Sequence, residues 1–306
     1  MSEIVVGVDG SEHSAVALRW AAREAQLRGS ELTAVLVWDL FNQRHPDGSR
    51  RFDPAYDESH ADAALLAAIE AALGPEAAAS VNRRPVCDVP ARGLLEAAEG
   101  ADLLVVGARG LGGFRGLLLG SVSQQVLHHA RGPVAIVRSR AAAAADAGTE
   151  GGTATERIVV GVDGSDPSRA ALRWAVTEGR LRQAIVEALY AWEVPVVFGP
   201  LVGAFPYDPS AIETSARELL DELVDEAVAE IGATDVTVER SLVSGGPAAC
   251  MLEAAERADL VVVGRRGVGG FARLLLGSVS EKVATHAPCP VVVIPAHAES
   301  ERTEGT

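Results

Sequence analysis

The chain opens on a β-branched apolar run, "EIVVGVD" at 3–9, that breaks at once on "GS". Behind the break, "SAVALRWAAREAQLR" (14–28) carries apolar residues at helical spacing, with Ser11 or Ser14 available as the N-cap. "LTAVLVW" (32–38) predicts a second strand. After a segment of no clear period, "DESHADAALLAAIEAAL" (57–73) predicts a second helix. A weaker strand near 81–87, a helix at "ARGLLEAAE", a strand at "DLLVVG" (102–107), a helix at "SVSQQVLHHA" and a strand at "PVAIVR" complete the series. Apolar strands alternating with amphipathic helices predict a parallel sheet covered on both faces. Such sheets take ligands beyond the carboxyl ends of their strands, where strand order reverses.

The whole series is then written again. "IVVGVDGS" at 4–11 returns at 158–165, "ALRWAARE" at 17–24 as "ALRWAVTE" at 171–178, and "LLEAAEGADLLVVG" at 94–107 as "MLEAAERADLVVVG" at 251–264. A repeat this long is a duplicated domain, not a solenoid period. The expected organisation is a domain at 1–138, a flexible Ala/Gly/Thr linker at 139–156, a second domain at 157–296 and a frayed tail at 297–306.

Composition narrows the chemistry. A hydrophobic content of 48% across 306 residues supports two packed cores rather than disorder. Gly, Arg or Asp interrupts every apolar stretch before it reaches membrane-spanning length, so no membrane association is expected. The N-terminus lacks a basic leader, and Cys87, Cys250 and Cys289 have neither C-x-x-C pairing nor metal-ligand spacing. Both features predict a reducing, cytoplasmic setting. A net charge of −15 disfavours nucleic acid as a partner. Lys282 is the only lysine, which removes lysine-dependent chemistry from consideration.

Polar and glycine-rich signals fall where the sheet rule puts a site. Asp9-Gly10-Ser11 follows the first strand, and Asp163-Gly164-Ser165 follows its counterpart. "GARGLGGFRGLLLGS" (107–121) follows the fourth strand and returns as "GRRGVGGFARLLLGS" (264–278). Gly107 and Gly110 would let the backbone turn and approach an anion, and Gly120-Ser121-Val122-Ser123 then starts a helix whose free N–H groups suit phosphate. Ser121 and Ser123 add hydroxyl donors, and Ser121 is a candidate cap. Gly264, Gly267, Gly277, Ser278, Val279 and Ser280 repeat the arrangement. A P-loop is excluded because the loop has no lysine. A dinucleotide fingerprint is excluded after the first strand, where the sequence is "GVDGSEHS", and in the loop, where its third glycine falls on Arg115.

These motifs resemble the ATP-binding branch of the universal stress protein family, with its pattern G-x2-G-x9-G-[ST], in tandem two-domain form. The resemblance covers nearly the whole chain outside the linker and tail. It implies two flavodoxin-like, adenine-nucleotide α-hydrolase-like α/β domains, each a five-stranded parallel sheet with helices on both faces. It implies one ATP per domain, accompanied by Mg²⁺, in a stress-response sensor or regulator rather than an enzyme. By the same resemblance Asp9 and Asp163 contact the adenosine part, with Gly7, Gly10, Gly161 and Gly164 beside them. Val37 and Ala191 present backbone to adenine, and Gly112, Gly113, Gly269 and Gly270 are further close-approach positions. The family wording Gly246-Pro247-Ala248 is Val89-Pro90-Ala91 in the first half, where the Val89 side chain is expected either to narrow the first site or to shift its loop. A nucleotide hydrolase or transferase of related topology is the competing reading.

Other conspicuous residues have plainer readings. His129 and His286 sit at equivalent helix ends, where imidazole satisfies terminal carbonyls. His13, His45 and His60 have no counterpart in the second half. Arg109, Arg115, Arg265, Arg266 and Arg273 lie in or beside the glycine loops and are either phosphate contacts or a solvated face. Trp20 and Trp174 share one helical position and are expected in the core, and Cys289 is expected to be a small buried hydrophobe. The fifth strand of each half, "PVAIVR" and "PVVVIP", is an edge candidate for pairing with another copy of the chain in a homodimer, and the two domains are expected to associate as a pseudo-dimer.

Overall fold

The computed structural model describes residues 2–111, 118–138, 155–193, 209–267 and 275–295. The expected linker, apart from its last two residues, and the expected tail lie outside them, as do Gly112, Gly113, Arg115, Gly269, Gly270 and Arg273. The first half runs β1 (Glu3–Gly7), α1 (Glu12–Arg28), β2 (Glu31–Trp38), α2 (Glu58–Leu73), a single turn α3 (Pro75–Ala78), β3 (Asn82–Cys87), α4 (Pro90–Ala97), β4 (Leu103–Gly107), α5 (Ser121–His129) and β5 (Val134–Val137). The second half runs β6 (Arg157–Gly161), α6 (Asp166–Arg182), β7 (Ile185–Trp192), α7 (Pro209–Ile231), β8 (Val238–Ser244), α8 (Pro247–Ala255), β9 (Leu260–Gly264), α9 (Ser278–His286) and β10 (Val291–Ile294).

Each half is the expected five-stranded parallel sheet, and the two are joined edge to edge. Strand order is β3-β2-β1-β4-β5-β10-β9-β6-β7-β8. Every pairing is parallel except β5 with β10, where Ala135 faces Val292. Successive strand residues point to opposite faces, and both faces are covered. On one face Ile4, Val6, Leu103 and Val105 of the first half and Ile158, Val160, Leu260 and Val262 of the second share a core with α1, α2, α6 and α7. On the other face Val5, Leu104 and Val106 of the first half and Val159, Val261 and Val263 of the second share a core with α4, α5, α8 and α9. This two-sided burial is why the strands read as unbroken apolar runs. No helix among the described residues is long and apolar enough to cross a membrane.

The β5–β10 pairing corrects one expectation. These strands are not free edges for a second chain, because each satisfies the other's main-chain groups inside one molecule. The outer edges are β3 and β8 instead. Arg83, Arg84 and Pro85 blunt β3, and Glu239 and Arg240 charge β8.

Buried charge also links the halves. At the C-terminal ends of α1 and α6, Glu24 is completely buried and Glu178 is 1% exposed. Glu24 accepts from Arg182 of α6, and Glu178 accepts from Arg28 of α1. Each glutamate also holds the arginine one turn later on its own helix. The guanidinium of Arg28 lies 5.1 Å from the Trp174 ring centre, and that of Arg182 lies 5.9 Å from Trp20. Trp20 and Trp174 pack against the core as expected, and they also form platforms for this clasp. Burial pushes the Glu178 carboxyl up to about 6, against the pull of Arg28. Glu156, at the end of the expected linker, joins Arg182 at 3.0 Å.

Two further arginines cross the boundary. Arg138, at the end of β5, donates to Leu118 O (2.9 Å) and to Thr285 O at the end of α9 (2.7 Å). Arg265, just after β9, donates to Ala130 O (2.7 Å) and to His128 O at the end of α5. Each half thus caps the last helix of the other.

Candidate functional site

The chain goes from β1 outward to β2 and β3, then returns to the other side of β1 for β4 and β5. The reversal therefore lies between the carboxyl ends of β1 and β4, and in the second half between β6 and β9. Asp9 follows β1, and the glycine loop leaves β4 at Gly107. The two expected elements meet there. Asp9 Oδ1 accepts from Ser11 N and Oδ2 from Leu111 N, each at 3.0 Å. Asp163 Oδ1 accepts from Ser165 N at 3.0 Å and from Ser165 Oγ at 2.6 Å.

The glycines are dictated by what they approach. A Cβ on Gly107 would stand 2.8 Å from His13 O in the first turn of α1, and one on Gly264 would stand 2.7 Å from Pro167 O in α6. A Cβ on Gly110 would stand 2.5 Å from Asp9 Oδ2, and Gly267 meets Asp163 in the same way. Gly10 and Gly164 adopt φ of +77° and +83°, a region costly for a residue with a Cβ. Gly7 and Gly161 are close-packed against Leu94 and Met251.

Beyond the loop the chain enters α5 and α9 through Gly120 and Gly277, whose N–H groups donate to Ala108 O and Arg265 O at 2.8 Å. Gly120 and Gly277 are themselves the N-caps and supply no side-chain cap, so the expected capping role of Ser121 is not met. A first-turn serine lies inside the helix rather than at its cap. The N–H groups of Ser121, Val122 and Ser123, and of Ser278, Val279 and Ser280, fall in the first turn, where a helix offers no internal acceptors. Ser121 and Ser278 are exposed there. The hydroxyls of Ser123 and Ser280 differ from expectation. They are buried and donate to Gly107 O (2.7 Å) and Gly264 O (2.6 Å), tying the helix to the strand end instead of facing a ligand.

In the second half these pieces enclose a cavity of about 510 Å³. Asp163, Ala191, Met251, Arg266, Gly267 and Ser278 are among the described residues on its walls. That volume suits a small organic ligand, for which pockets of about 300–1,000 Å³ are usual. Arg265, the neighbour of Arg266, points away, to the carbonyls at the end of α5, and holds the other half.

The first half differs in the segment joining β2 to α2. Residues 39–57 fold back, held by Gln43, whose side chain pairs with both main-chain groups of Asp53 (3.1 and 2.6 Å). Tyr56 Oη receives a hydrogen bond from Arg44 N at 3.1 Å and sits edge-on to Trp38 at 5.2 Å. Asn42 Nδ2 donates to Val37 O at 3.3 Å, so the carbonyl of the expected adenine-facing residue is already engaged. The Val37 side chain packs on Gly93 of α4. Val89, expected to narrow this site, is 57% exposed. Reading by motif missed Arg44, which is 6% exposed and lies against Gly10. A lone arginine in an aperiodic stretch carries no pattern, and the only available signal was the lack of any basic residue in the corresponding 193–208.

Comparison with known proteins agrees with this architecture. The family model described as "Universal stress protein family" matches residues 1–138 and 154–295. A universal stress protein of Mycolicibacterium smegmatis is 35% identical over 295 residues, covering 95% of this chain and 96% of that protein. Universal stress protein Rv2623 of Mycobacterium tuberculosis is 36% identical over 298 residues, covering 95% of each. Among solved structures, a universal stress protein from Archaeoglobus fulgidus superposes with a TM-score of 0.62 at 22% identity, covering 96% of this chain and 98% of that one.

Proposed function

We propose, from the premise that this chain belongs to the universal stress protein family, that each half binds one ATP and that the molecule acts in stress response as a nucleotide-dependent sensor or regulator. One arrangement carries this reading. An aspartate after the first strand meets a glycine loop after the fourth, at the point of strand reversal, and the loop ends on a helix N-terminus in both halves. In the second half it opens into a cavity of ligand size.

The chemistry of the walls suits a nucleotide. Ala191, Leu189 and Met251 give an apolar slot for a base. Asp163 offers a carboxylate to hydroxyls, and the first turn of α9 offers N–H groups to phosphate. Among the described residues no group of three or more His, Cys, Asp or Glu side chains is placed to hold a metal. Mg²⁺ therefore enters the proposal as the counter-ion of the triphosphate, held through phosphate oxygens.

Binding rather than turnover is the function proposed. Both oxygens of Asp9 already accept main-chain N–H groups, so the carboxylate is committed to holding the loop. The test is to release and identify the ligand of the purified full chain and to titrate it with ATP. Two nucleotides per chain are expected, and none in either half would overturn the reading. Multiple turnover of ATP abolished by Asp9→Ala with Asp163→Ala would replace the binding module with an enzyme.

A further inference from the structure

The strongest unexplained feature is a buried cation beside the first site. Arg44 lies in the fold-back between β2 and α2 with 6% of its surface exposed. Its main-chain N–H and carbonyl both bond the Tyr56 hydroxyl, and Nη1 donates to Gly48 O at 3.2 Å. Nη2 is buried and has no hydrogen-bond partner. The guanidinium stands against the cleft wall: a Cβ on Gly10 would be 3.7 Å from Nε and 3.9 Å from Cζ. Gly10 is the residue between Asp9, which holds the glycine loop, and Ser11, which caps α1.

A guanidinium whose N–H goes unmatched in a buried place is costly, and such groups are normally satisfied by an anion, a carbonyl or water. Here burial lowers the Arg44 pKa and the field of Asp9 raises it, yet no ion pair joins the two side chains. The Arg44 side chain lies beside Gly10 on the β1 side of the reversal point, and the α5 N-terminus lies on its β4 side. The corresponding segment of the second half, 193–208, contains no Arg, Lys or His.

We propose that Arg44 is a phosphate-binding residue of the first site only, so that the two halves differ in how strongly they prefer a nucleotide carrying phosphates over the bare nucleoside. This rests on the nucleotide reading above. Arginine suits the role because its planar fork matches phosphate oxygens and its charge persists when buried. The first site then adds an arginine fixed by its own fold-back, for which 193–208 of the second half holds no counterpart.

The test uses the full chain with the second cavity closed by Gly267→Ala, titrated calorimetrically with ATP and, separately, with adenosine. Arg44→Gln is expected to weaken ATP about tenfold, the usual scale for losing one charge-assisted hydrogen bond, and to leave adenosine unchanged. Arg44→Lys is expected to restore part of the ATP affinity. Equal weakening of both ligands would show that Arg44 only shapes the loop, and no change in either would show that it touches neither; both results overturn the proposal and leave nucleotide binding standing. Failure of the unsubstituted chain to bind any nucleotide would overturn both readings together.

Discussion

The two halves mirror each other where they meet and diverge beside their candidate sites. At the boundary, Glu24 and Arg28 of α1 answer Glu178 and Arg182 of α6 residue for residue, each arginine lying over the other half's tryptophan. Beside the candidate sites, the first half has a fold-back with a buried arginine and an engaged Val37 carbonyl, whereas the corresponding 193–208 of the second half contains no Arg, Lys or His. A shared surface constrains both copies at once, because a change on one side leaves a buried partner unmet on the other. A cleft at the far end of the strands carries no such reciprocal demand.

The mirrored clasp gives the largest expected effect. Glu24→Ala and Glu178→Ala should each cost about 3 kcal/mol, because both leave buried guanidinium groups short of a carboxylate. Urea unfolding of each variant measures this, and a large disparity between them would break the mirror. Next come the site glycines. Gly110→Ala and Gly267→Ala place a methyl group on the Asp9 or Asp163 carboxylate. Each should remove one of two bound nucleotides, with affinity down about a hundredfold by titration calorimetry, or about 2.7 kcal/mol. If either variant emptied both sites, the halves would not be independent binders.

The pH response follows from Glu178 and is smaller. Its folded pKa of about 6 lies above the ordinary 4.5, so between those values the folded chain holds a proton that the unfolded chain releases. The contribution of this group to stability is full below about 4.5 and is lost as pH rises through 6, up to about 2 kcal/mol. Thermal melts of the wild type against Glu178→Gln should therefore favour the wild type increasingly as pH falls through 6; a flat difference would remove the titration from this carboxylate. The smallest effect is at the helix starts. Ser123→Ala and Ser280→Ala should each cost about 1 kcal/mol by losing the bond to Gly107 O or Gly264 O. Unequal losses, read by the same urea unfolding, would mean that the two strand–helix junctions are held differently.

Much of the site was legible because its residues are constrained by the backbone. Asp9, Gly107 and Gly110 follow strand ends at fixed spacing, and duplication confirmed the register. The direction of a side chain was not legible. Ser123 was a donor to ligand by motif and is a donor to Gly107 in space, since the hydroxyl rotates to the nearest unmet carbonyl. Arg265 lies in the glycine loop by sequence, yet it reaches the end of α5 in the other half.

By itself the sequence determined what is local and repeated: strand and helix identity from apolar period, the duplication, and the place where strand order brings aspartate and glycine loop together. Only the tertiary structure decided how the halves meet. The β5–β10 pairing, the α1–α6 clasp and the crossing of Arg138 and Arg265 all join residues more than a hundred positions apart. No sequence period encodes such contacts. They arise because two half-sheets with unpaired edges and buried charges satisfy each other when packed.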